Sequence, residues 1–366
     1  MAEFERTTAA RFALRPLEPF LNEPGVTEVC VNRPGEAFVE REGGTWERKE
    51  VPELTFDALL TLGAAAAVLS DRPWSEADPI LSATLPDGER AQFVRPPATV
   101  PGRVSVTIRR PSTAVPQLSD YVESGFFSGS RIGTTAPNPN ERVLDPLVEL
   151  RNEAALETGP ERDATTAAFL REAVRRKKNI VIAGETGSGK TTFMKALMQE
   201  IPTTDRIVTI EDVPELLYGL PNHENQVNLF YPSEGGGTVT AASLIRSSLR
   251  MKPDRILLAE LRGAETYDYL TAALSGHGGS ITSCHAGSCA EAFEYLALRI
   301  LQSSAGRGLP YPEIRRLLRL TVDVVVHVHS DHGVRRMTEL WYEPEEKEGK
   351  TDEKRCGKPK PAWRRQ

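Results

Sequence analysis

The 366-residue sequence predicts an α/β protein: a small α+β domain, then a larger domain with a mostly parallel sheet between helices. Three observations carry this. The length exceeds what one hydrophobic core usually serves, so about two domains are expected. From about residue 161, apolar strand-like runs alternate with helical patterns, the order that builds a parallel sheet. Within that alternation, Gly184-Glu185-Thr186-Gly187-Ser188-Gly189-Lys190-Thr191-Thr192 matches the phosphate loop G-x-x-x-x-G-K-[ST]. It sits between a buried strand, Asn179 to Ala183, and a helix, Phe193 to Ile201.

In order along the chain, Phe12, Leu14, Leu17, Phe20 and Leu21 form an early amphipathic segment. Val26 to Val31 reads as a strand, with two short strands after it around Phe38 and Trp46. Thr55 to Ser70 reads as a helix capped by Thr55. Ile80 to Val94 reads as a hairpin turning at Asp87-Gly88, and Val104 to Arg109 alternates as a last strand. Residues 111–160, rich in Pro, Gly, Ser and Asn around RIGTTAPNPNER, read as a long linker with a short helix. Such a length would allow domain swapping between copies. In the second domain, 161–345, strands are expected at 179–183, 206–210, 255–260 and 280–284. A closing hairpin is expected to pair 322–329 with 335–342 through Asp331-His332-Gly333. The tail, 346–366, is expected to be flexible. From Lys347 onward it holds eight Lys/Arg against three Asp/Glu, so it is either a solvated end or a contact for anionic lipid or nucleic acid.

A net charge of −6 gives no whole-chain case for binding nucleic acid. No run approaches the roughly 20 apolar residues that span a bilayer. The opening MAEFERTTAARFALRP lacks the apolar core of a secretory signal, so a cytoplasmic protein is expected. Cys30, Cys284, Cys289 and Cys356 form no C-x-x-C pair, which indicates neither a zinc site nor a disulfide framework.

The loop glycines let backbone N–H groups turn inward toward phosphate oxygens, and the following helix adds its N-terminal dipole. Lys190 is placed for the β- and γ-phosphates and the Thr191 hydroxyl for Mg²⁺. Arg255 to Glu260 is an apolar strand ending in an acid. Glu260 is therefore expected to polarise the attacking water or hold a metal-bound water, the alternative being a capping acid. Glu211 and Asp212 end another strand on the same sheet edge, with a base-like or metal-orienting role for Glu211, or a capping one. His285 closes the glycine-flanked run that begins at Gly276 and is a candidate γ-phosphate sensor. His327 and His329 share a strand face, where an edge or interface role is expected over a metal site. Arg109, Arg110, Arg246, Arg250 and Arg262 are candidate cations for the phosphates, and the sequence does not choose among them.

Taken together, GETGSGKTT, TIEDVPEL, LRMKPDRILLAELRG and SGHGGSITSCHAGS resemble the motif set of the secretion ATPase superfamily, which powers type II secretion, type IV pili and type IV secretion. PILSATLPDGERAQFVRPPA, SVTIRRPS and VDVVVHVH resemble its type IV secretion and conjugation branch. The resemblance covers about residues 10 to 345. It implies a RecA-like P-loop ATPase domain preceded by a small α+β N-terminal domain, with ATP and Mg²⁺ between them, in a homo-hexamer peripherally associated with the inner membrane. Its implied partners are the inner-membrane components of a type IV secretion apparatus and a transported protein or DNA substrate. By position, Glu260 is the Walker B acid, Glu211 the acidic-box acid, His277 and His285 the histidine-box residues, and Arg109 and Arg110 the N-domain arginine run. Ala259 stands where many relatives have Gly. A four-cysteine zinc module, usual in the type II and pilus branches, is missing from the sequence. Two rival readings are a helicase or DNA-packaging ATPase and a nucleotide-gated scaffold with little hydrolysis. The chain has no N-K-x-D segment for guanine.

Overall fold

The computed structural model describes residues 3–41, 44–110, 114–133, 145–221, 223–232, 239–331 and 333–344. The centre of the expected linker, the basic tail, His332 and Cys356 lie outside the described residues.

The first domain contains helices α1 (Glu3–Leu14), α2 (Glu18–Leu21) and α3 (Phe56–Leu69), with strands β1 (Val26–Val31), β2 (Glu36–Arg41), β3 (Thr45–Glu50), β4 (Ile80–Thr84), β5 (Arg90–Val94) and β6 (Ser105–Arg109). The strands form one sheet in the order β3-β2-β1-β6-β5-β4, every pair antiparallel. Alternation decides which face is buried: Ala91 and Phe93 of β5 and Val106 and Ile108 of β6 pack with Leu59 and Leu62 of α3. Thr55 caps α3 as expected, its hydroxyl accepting from the Ala58 N–H at 3.1 Å. In the early segment Leu14, Leu17 and Leu21 are buried, whereas Phe12 is 65% exposed.

The second domain adds α4 (Leu118–Glu123), β7 (Arg131–Ile132), α5 (Pro146–Leu156), α6 (Gly159–Arg175), β8 (Ile180–Gly184), α7 (Lys190–Met198), β9 (Ile207–Glu211), β10 (Gln226–Phe230), α8 (Ala241–Ser248), β11 (Arg255–Leu258), α9 (Glu265–Leu274), β12 (Ile281–Cys284), α10 (Cys289–Gln302), α11 (Tyr311–Thr321), β13 (Val324–Asp331) and β14 (Val334–Tyr342). Its sheet runs β10-β9-β11-β12-β8-β13-β14-β7. The six strands from β10 to β13 are mutually parallel, and β14 returns antiparallel as a hairpin. β8 is apolar and buried throughout, as a strand covered on both faces requires. One face carries α6, α7 and the ring cluster Phe126, Phe127 and Phe193; the other carries α9 to α11. This α/β/α sandwich is the predicted architecture.

The linker reading needs correction. Residues 114–133 and 145–160 are built into the second domain. Leu118, Phe126 and Phe127 enter its core, β7 extends its sheet, and Asp145 caps α5 through the Leu147 N–H at 3.1 Å. Fully buried Arg151 of α5 donates to the Tyr342 carbonyl at 2.5 Å, tying α5 to the end of β14. Burial of a few aromatics outweighs a composition that looks loop-like.

Candidate functional site

β8, β9, β11 and β12 all end at one edge of the sheet, where open α/β folds bind ligands. The phosphate loop leaves β8 there. Gly187 and Gly189 have φ of +78° and +91°, conformations that a side chain would strain. Gly184 is fixed by crowding instead. A Cβ there would stand 2.4 Å from the Val328 carbonyl oxygen and 2.6 Å from Ser188 Oγ. Gly189 opens α7, so the helix N-terminus faces the loop. Lys190 is 8% exposed and folds back on the loop, donating to the Gly184 and Glu185 carbonyls at 2.9 and 2.8 Å. It makes no ion pair among the described residues. Burial lowers its pKa, and an incoming anion would restore the charged form that burial disfavours.

Glu260 follows β11 and is pinned by its neighbours: Ser283 Oγ donates to the Ala259 carbonyl at 2.8 Å, and the Leu261 N–H donates to the Ser283 carbonyl at 2.8 Å. From Glu260 a chain of charge runs in two directions. Oε1 lies 2.6 Å from His285 Nε2. Oε2 accepts from Arg262 Nη2 at 2.7 Å, Arg262 Nη1 reaches Asp212 Oδ2 at 2.5 Å, and Asp212 Oδ1 lies 2.6 Å from Arg90 Nη2. Arg90 belongs to β5, so the chain crosses from one domain to the other. Burial lowers the pKa of His285 against the upward pull of Glu260, while Lys190 and Arg262 add to the lowering, which favours the neutral ring.

These groups enclose a cavity of about 400 Å³. The second domain contributes Glu185, Thr186, Gly187, Gly189, Lys190, Thr191, Thr192, Lys195, Asp212, Glu215, Glu260, Arg262, His285 and Arg335, and the first domain contributes Thr27, Arg90, Arg109 and Arg110. Gly184 and Ser188 support the loop from behind, Ser188 Oγ donating to the Glu185 carbonyl at 2.8 Å. A second cavity of about 490 Å³ adjoins the first and shares Arg90, Arg109, Asp212, Val213 and Arg262 with it. Seven basic side chains face four carboxylates in the first cavity, the balance a polyphosphate requires.

Four expected site residues stand elsewhere. Arg246 of α8 pairs with Asp268 at 2.6 Å and does not line the cavity. Glu211 is fully buried and does not line the cavity. Its carboxylate accepts from the Glu215, Leu216 and Leu217 N–H groups at 2.8, 2.6 and 3.1 Å, so it caps the turn that follows β9. Burial pushes its pKa up to about 7. His277 and Arg250 precede β12 and β11, which puts both at the opposite end of the sheet from the loop. Strand length forces this: His277 and His285 flank the same strand and cannot share one edge. Among the described residues no group of three His, Cys, Asp or Glu is placed to hold a metal, and His327 Nδ1 instead meets Thr338 Oγ1 at 2.5 Å. Sequence reasoning missed Arg90, Lys195, Glu215 and Arg335. Lys195 lies in α7, the helix the loop itself opens, whereas Arg90, Glu215 and Arg335 are brought to the loop by tertiary packing.

Residues 142–326 match the family described as type II/IV secretion system protein. Over 353 residues the chain is 54% identical to the type IV secretion system protein VirB11 of Brucella abortus biovar 1 (strain 9-941), covering 94% of this chain and 93% of the relative. The chain belongs to this family of type IV secretion ATPases. A second member, the type IV secretion system protein PtlH of Bordetella pertussis (strain Tohama I), is 42% identical over 344 residues, covering 92% and 96%. The crystal structure of the VirB11 ATPase from the Brucella suis type IV secretion system in complex with sulphate is 53% identical, covers 94% of this chain and 97% of that one, and has a TM-score of 0.50. The family's two-part build, an N-terminal domain followed by an ATPase domain, is the architecture described above.

Proposed function

We propose that the chain is an ATP-hydrolysing motor, acting as a homo-hexamer, that powers assembly of a bacterial type IV secretion system or substrate transport through it. One observation carries this reading: the loop of Lys190 and Thr191, the Glu260–His285 pair and the N-domain arginines Arg90, Arg109 and Arg110 face a single cavity between two domains.

The residues fit a Mg²⁺-bound triphosphate. Lys190 is a buried ammonium satisfied by carbonyls alone, and phosphate oxygens are stronger acceptors for it. Thr191 and Glu260 are the groups that would hold Mg²⁺, directly or through water; bound there, the ion would neutralise phosphate charge. Glu260 accepts the proton of the attacking water once Arg262 leaves its Oε2. Neutral His285 donates from Nε2 to Glu260 or to the γ-phosphate. Arg90, Arg109 and Arg110 bring the first domain onto the phosphates, so hydrolysis would loosen the hold between domains. No helix among the described residues is long and apolar enough to cross a membrane, consistent with peripheral attachment at the inner membrane through other components. Partners in that membrane and the protein or DNA cargo belong to this same reading.

The test is steady-state ATP hydrolysis with mass measured on the same samples. Lys190→Ala is expected to abolish turnover. Glu260→Gln is expected to bind ATP but turn over more slowly by about 10²-fold or more. A six-subunit species is expected with nucleotide. Normal turnover in Lys190→Ala, or a persistent monomer, would overturn the reading. Arg262 occupies Glu260 Oε2 here, which favours a second reading, a nucleotide-gated scaffold. Tight ATP binding without turnover would select it.

A further inference from the structure

Resting on the nucleotide reading, we propose that Arg335 binds the phosphate chain, as a cation delivered by the closing hairpin. β13 pairs with β8 so that Val328 faces Gly184, which fixes the hairpin beside the phosphate loop. β14 begins at Val334, and its second residue, Arg335, crosses over the loop. A Cβ on Gly189 would stand 2.9 Å from Arg335 Cδ and 3.3 Å from Nε, so the side chain rests on the residue just before Lys190. Arg335 also lines the cavity.

Its state differs from that of the other cations there. Arg262 is held by Asp212 and Glu260, Arg90 by Asp212, and Arg110 by the Glu23 carbonyl at 3.0 Å. The Arg335 guanidinium makes no hydrogen bond or ion pair to a described residue. A planar fork of donors with no carboxylate to neutralise it, seated at the opening of an anion-binding loop, is arranged for phosphate oxygens. The small residue at 189 therefore does two things: it permits the positive φ and leaves room for the arginine stem.

The experiment compares binding of ATP, ADP and inorganic pyrophosphate to the full chain and to Arg335→Ala, Arg335→Lys and Arg336→Ala. Arg336 is exposed on the same strand and does not line the cavity, so it controls for general charge. Arg335→Ala is expected to weaken all three ligands by roughly 10- to 100-fold, the usual worth of charge-assisted hydrogen bonds. It should also flatten the dependence of affinity on salt, with an unchanged thermal melting curve. Arg335→Lys should recover part of the loss, and Arg336→Ala should bind as the parent does. Parent-like binding by Arg335→Ala, or an equal loss in Arg336→Ala, would overturn the proposal while leaving the nucleotide reading intact. Failure of the parent chain to bind ATP would overturn both.

Discussion

Glu211 and Asp212 are adjacent in sequence and have opposite surroundings. Asp212 joins the charge chain at the cavity, while Glu211 turns into the core beneath a capped turn. That burial has a pH signature. The Glu211 carboxyl has a pKa near 7 in the fold against an ordinary 4.5 in an unfolded chain. Between those values the folded state holds the extra proton, so stability from this group is complete below about pH 4.5 and is lost as pH rises through 7. Relative to Glu211→Gln, the parent chain is therefore expected to lose up to about 3 kcal/mol between pH 5 and pH 8. Urea midpoints of both proteins at the two pH values would show it; an unchanging difference would mean the carboxylate is already ionised at pH 5. The sequence placed an acid at this strand end, but which of two neighbours faces a cavity depends on the turn that follows. The phosphate-loop residues were legible because their conformation demands glycine and their chemistry demands Lys and Thr.

Between elements, the contact with most leverage is Arg90 of β5 against Asp212 after β9. Asp212 is almost fully covered and holds Arg262 as well, so it fixes the guanidinium that occupies Glu260. Arg90→Ala and Asp212→Asn are each expected to lower kcat/KM for ATP. Their effects should not add, because both act through Arg262. A double-mutant cycle on kcat/KM checks this, and additive losses would mean that Arg90 works independently of Asp212. Strands with a sustained apolar pattern, such as β8 and β11, were readable from periodicity. β10 and β7 were not: the first is only half-buried, the second has two residues, and each is held by a neighbouring strand rather than by its own pattern. α5 did carry a signal, Asp145-Pro146 at its start, but the surrounding Pro and Gly obscured it.

At the scale of the whole molecule, the first domain has a closed core of its own and meets the second across the cavity wall. Nucleotide is expected to draw the domains together. Small-angle scattering should report a smaller radius of gyration with a non-hydrolysed ATP analogue than without ligand, and an unchanged curve would argue against closure. Arg109 and Arg110 face Lys190, Arg262 and Arg335 across the gap, and only part of that charge is met by carboxylates. The four carboxylates of the second domain offset its own four cations, so the first domain's arginines meet a wall of no net charge, and the Arg90–Asp212 pair is a direct clasp across the gap. The strength of such a clasp is set by ionic strength, since screening acts over about 10 Å in 0.1 M salt. Dilute buffer should hold the jaws together and moderate salt should let them swing more freely, before any nucleotide has arrived.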